Sequence, residues 1–124
     1  MIETLYSEFN DFLQKEVESL TETKKKAEKS LDEAIMIESQ KRVKNIMEIK
    51  SKFKNEEIIP LVNRKQNESM LINHGIFLVF LEDLLEKKQR KRELSKNPYE
   101  QFAFEGMKKD IVKIINKYRS IFYK

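Results

Sequence analysis

Any chemistry in this chain would have to start from one histidine and one knot of carboxylates. His74 is the only histidine, and its i−4 and i+4 neighbours are Met70 and Leu78. No acid on its own side of a helix can orient it as a base, and a metal site needs several convergent ligands. Glu82, Asp83 and Glu86 fall within one helical turn of each other, which is the nearest approach to a carboxylate metal site. Di-iron bundles add E-x-x-H pairs to such carboxylates, and none occurs here. Lys87 and Arg90 stand beside the three acids, so ordinary solvation accounts for them. The chain has no cysteine, which removes thiolate nucleophiles, zinc–thiolate sites and disulfides together. With two glycines there is no phosphate-cradling loop of the G-x-x-x-x-G-K-[ST] or G-x-G-x-x-G kind. The residues therefore indicate no enzyme, no catalytic or metal-ligating set and no cofactor.

The sharpest remaining signal is "KKQRKR", with Lys87, Lys88, Arg90, Lys91 and Arg92 as a candidate basic patch. Clustered cations release counterions from a phosphate backbone and can hold nucleic acid without reading its sequence. Glu82, Asp83, Glu86 and Glu93 flank the run, and no aromatic interleaves it for base stacking. On a helix these positions form a collar and not a stripe, as expected of a solvated helix end.

The elements that must position these residues are helical. Charged residues make up 37 % of the 124, and Gly and Pro number two each. So few breakers among so many Lys, Glu and Leu predict long helices with much exposed flank. Thr4 can cap a first helix, in which Leu5, Phe9, Phe12, Leu13, Val17 and Leu20 recur every three to four residues as one apolar stripe. The stripe thins through "TETKKKAEKS" and resumes at Leu31, and neither Gly nor Pro occurs before Pro60. One long helix over about 4–57 is predicted, with a break near 20–24 as the alternative.

Pro60 and "NRKQNE" make a turn, and Ser69 caps a second helix over about 69–96. Its apolar residues point in every direction, as in a helix at the centre of a core. The longest strictly apolar run is Ile76 to Leu81, far short of the about 20 residues a membrane span needs. Pro98 disfavours helical geometry at Asn97, so the third helix covers about 99–123. There Phe104, Met107, Ile111, Ile114, Ile115, Tyr118 and Phe122 share one face opposite Lys108, Lys109, Lys113 and Lys117.

The expected fold is all-α: a single domain over 1–124, a coiled-coil-like bundle of three main helices, the long one packed with two shorter ones. A straight helix of that length outruns its partners, which leaves the stripe Leu5, Phe9, Phe12, Leu13, Val17 and Leu20 as a candidate partner-binding face. Residues 1–23 carry six acids and one base, net −5, so the rest carries +9 of the total +4. That asymmetry favours head-to-tail or antiparallel pairing. The expectation is a non-enzymatic helical module for protein–protein interaction (an adaptor, a chaperone-like partner or an inhibitor), homodimeric or hetero-partnered. A basic-surface nucleic-acid binder using residues 87–92 is the alternative. The acidic opening "MIETLYSEFNDF" and the lack of cysteine point to the cytoplasm.

Overall fold

The computed structural model describes residues 2–59 and 75–123, and no strand occurs among them. Four helices follow in order: α1 Ile2–Ser30, α2 Glu33–Phe53, α3 Gly75–Leu94 and α4 Pro98–Phe122. A five-residue π-helical turn, Lys54–Ile58, continues α2. The all-α bundle expected from composition is therefore present, with four helices in place of three. His74, the turn at Pro60, the Ser69 cap and the first turn of the helix expected from 69 lie outside the described residues.

The long helix expected over 4–57 is broken, and the break is neither absent nor near 20–24. It falls at Leu31–Asp32. Leu31 sits in the left-handed region with φ 58°. The Asp32 N–H donates to the Ala27 carbonyl at 2.9 Å, and the Leu31 N–H donates to the Glu28 carbonyl at 3.4 Å. This pair of bonds closes a helix with a Schellman motif. Asp32 then caps α2, its carboxylate accepting from the Ile35 N–H at 3.2 Å. Placing a leucine there costs about 1 kcal/mol. Folding α1 back buries Phe9 and Leu13 completely, and each full burial contributes about 1.5–3 kcal/mol. Burial wins, and the chain reverses.

Contacts fix the remaining topology as up-down-up-down. Tyr6 meets Glu57 and Gln14 meets Lys50, so α1 and α2 are antiparallel. Lys52 lies over the Phe80 ring and Arg92 pairs with Glu105, which sets α3 antiparallel to both α2 and α4. Helices α2 and α4 run parallel, with Arg42 beside Asp110 and Phe53 beside Tyr118. They approach closely because Gly106 and the buried Ala103 present no bulk. α2 and α4 thus form the short diagonal of the bundle, and α3 packs mainly on α4.

The two ends of the bundle differ. At one, Tyr6, Phe9, Phe53, Phe77, Tyr118 and Phe122 interlock in edge-on and tilted pairs with ring centroids 4.7–6.5 Å apart. At the other, toward the Leu31 turn, buried Glu38, Ser39 and Asn45 take the place of aromatics. α4 begins there, with Pro98 at its first position and the Asn97 side chain accepting from Tyr99 N–H at 2.9 Å.

Candidate functional site

Two polar constellations are buried in the bundle, and buried charge marks function or architecture. Glu57, 3 % exposed on the π-helical turn, accepts from the Tyr118 hydroxyl at 2.6 Å and the Tyr6 hydroxyl at 3.1 Å. Burial and the Glu57 hydrogen bond push the Tyr118 phenol well above its ordinary value. These bonds tie α1, α2 and α4 together inside the aromatic cluster. The second constellation sits between α2 and α4. The Arg42 guanidinium donates to both oxygens of Asp110, at 2.7 and 2.8 Å, and to Glu38 at 3.2 Å. The Asp110 bond outweighs the burial of Arg42 and holds its guanidinium above the usual value. A fork of this kind fixes geometry, and both constellations join different helices. Both serve the fold.

The stripe expected as a partner face is occupied by the chain itself. Phe9, Leu13 and Leu20 are buried, and Leu5, Phe12 and Val17 pack against the same cluster. Lys113 and Lys117 lie over the Phe12 ring, and Lys113 also pairs with Glu16 at 2.7 Å, which closes α4 over α1.

The basic run is divided among three directions. Arg90 pairs with Glu86 on its own helix, and Arg92 pairs with Glu105 of α4 at 2.5 Å. Lys88 is half-buried, and burial first, then Lys91, lowers its ammonium below the ordinary value, with Glu48 opposing. Lys87 lines a cleft, and Lys91 is exposed. The carboxylate knot disperses as well. Glu82 meets Arg119 at 3.4 Å, Glu86 meets Arg90, and Asp83 faces the same cleft. No group of three potential metal ligands occurs among the described residues.

That cleft, of about 300 Å3, runs between α2 and α3. Glu48 and Lys52 form one wall, and Phe80, Asp83, Leu84 and Lys87 the other. Ile76 and Val79 stand at its edge, 59 % and 56 % exposed. The sequence placed α3 at the centre of a core because it is apolar on all sides. The structure sets it on the flank, buries Phe77, Leu81 and Leu84, and leaves Ile76 and Val79 facing water.

The chain matches no protein-family model, no curated protein and no solved structure. No helix among the described residues is long and apolar enough to cross a membrane.

Sequence reasoning passed over Glu57, the Glu38–Arg42–Asp110 fork and the cleft. Gly106, a lone glycine inside a helical pattern, was the available sign of a close approach between helices. Glu57 left no such sign, since "KNEEII" reads as an ordinary helix end.

Proposed function

We propose that the protein is a non-enzymatic helical module, an adaptor, chaperone-like partner or inhibitor of the cytoplasm, that binds another protein at the α2–α3 cleft. The observation that carries this reading is the exposure of Ile76 and Val79 beside a cleft already floored by Phe80 and Leu84. Large apolar side chains that border a cleft on a flanking helix are what a partner helix covers. The buried carboxylates are engaged in cross-helix bonds, which supports a role by binding over one by catalysis.

The test is a comparison of proteins retained from the native host's extract by the wild type and by Val79→Glu. Val79 is exposed, so the variant keeps its helical circular dichroism. At least one protein should be retained by the wild type and lost by the variant. An unchanged set of retained proteins would contradict the reading. Nucleic-acid binding through residues 87–92 is the second reading, favoured by Lys87 and Lys91 having no ion-pair partner among the described residues. It requires binding to random duplex DNA that weakens steeply with salt and flattens when these lysines are neutralised.

A further inference from the structure

The α2–α3 cleft changes chemical character along its length. On α3, Ile76, Phe80, Leu84 and Lys87 line it, and Lys91 follows Lys87 by one turn on the same face. On α2, Lys41 precedes Glu48 and Lys52 at a spacing that keeps all three on one face. The antiparallel register, with Lys52 over Phe80, runs α2 toward Lys41 as α3 runs toward Lys91. The lining therefore offers Ile76, Val79 and Phe80 toward one end and Lys87 toward the other, with the carboxylates of Glu48 and Asp83 between them, while Lys41, Lys88 and Lys91 continue the two helices beyond the Lys87 end. None of these four lysines has a carboxylate at ion-pair distance among the described residues.

We propose that this cleft receives an acidic amphipathic helix of a partner protein, with its apolar side chains on Ile76, Val79 and Phe80 and its carboxylates over Lys41, Lys87 and Lys91. This inference rests on the cleft being the docking face, as argued above, and adds the class of partner. From Ile76 to Lys91 the face extends about 22 Å, which suits a partner helix of about 15 residues. A nucleic acid fits less well. Its phosphates would meet the lysines but leave Ile76 and Val79 uncovered, and Lys52 lies across the Phe80 ring where a base would stack. A second copy of the chain carries net +4, and the apolar face of its one acidic helix, α1, is already buried in its own bundle.

The experiment is selection of a displayed library of helical peptides, each about 15 residues, on the folded protein. Selected peptides are then titrated against wild type, Val79→Glu, and Lys87→Glu with Lys91→Glu. Peptides with apolar residues at helical spacing and an acidic end should be enriched. Each variant should lower their affinity about tenfold or more while keeping the wild-type circular dichroism. Enriched peptides that lack an acidic excess, or that ignore the lysine pair, overturn the partner class. If those peptides still lose binding to Val79→Glu, the docking face itself stands. Peptides that ignore Val79→Glu as well overturn both. Random duplex DNA or vesicles of anionic phospholipid binding more tightly than any peptide, with the same dependence on Lys87 and Lys91, would also overturn the proposal.

Discussion

At the level of single residues, the bundle depends on a few positions that no periodicity reveals. Gly106 is the clearest. A Cβ there would lie 2.7 Å from Arg42 Cδ and 3.0 Å from Glu38 Oε2. Ala in a helix interior ordinarily gains about 1 kcal/mol over Gly. Here Arg42 cannot swing away without surrendering Asp110, and overpacking of this kind costs about 1–3 kcal/mol. Gly106→Ala should therefore lower stability in urea melts, and the sign should reverse in an Arg42→Ala background. A like sign in both backgrounds would sink the account. Tyr118 gives a pH signature. Its phenol is held protonated in the folded state, while the unfolded chain ionises it near pH 10. The folded state then binds more protons than the unfolded one above that pH, so this contribution is complete below about pH 10 and declines as pH rises further. Tyr118→Phe should make the alkaline fall in melting temperature shallower.

Among elements, what could be read from sequence and what could not separate cleanly. Pro98 predicted the start of α4 to within a residue, and its amphipathic pattern predicted the buried face, because 3.6-residue spacing over 25 residues leaves little choice. The α1 stripe was equally visible, but its partner was not, since a stripe says that a face will be covered and not by what. The reversal at Leu31 was hidden because the usual glycine or asparagine is missing from the left-handed position. Asp32 ahead of Glu33 was the one clue, a cap with an acid in the first turn. α3 misled for a related reason. Apolar residues on every side imply full cover, and the described helices cover only part of it. The Leu31 turn yields the test at this scale. Leu31 is 85 % exposed and makes no core contact that glycine would forfeit. Leu31→Gly should raise stability by about 1 kcal/mol by removing the left-handed penalty. A loss in chemical denaturation would mean that its side chain matters in a way the geometry does not show.

For the molecule as a whole, the distribution of buried and exposed apolar surface separates folding from binding. Phe9 and Leu13 are fully buried between α1, α2 and α4. Phe9→Glu with Leu13→Glu should abolish the cooperative thermal transition, because two carboxylates would enter the core without partners. Val79→Glu should leave that transition within about 0.5 kcal/mol of wild type. If the first pair leaves a folded protein that merely stops associating, the stripe is an interface after all. The −5 charge of residues 1–23 is shared between the outer face of α1 and cross-helix pairs such as Glu16 with Lys113.

The aromatic end has a consequence for how the chain is made. Tyr6 and Phe9 close against Tyr118 and Phe122, partners more than 100 residues apart along the chain. The α1–α2 hairpin consists of local contacts and can form as soon as its residues are free. Phe77 of α3 reaches Phe9 and Phe53 first, and their cover stays incomplete until Tyr118 and Phe122 of α4 follow. At roughly 5–20 residues per second, that is a wait of seconds. In that interval the nascent hairpin presents part of the surface that the finished bundle conceals.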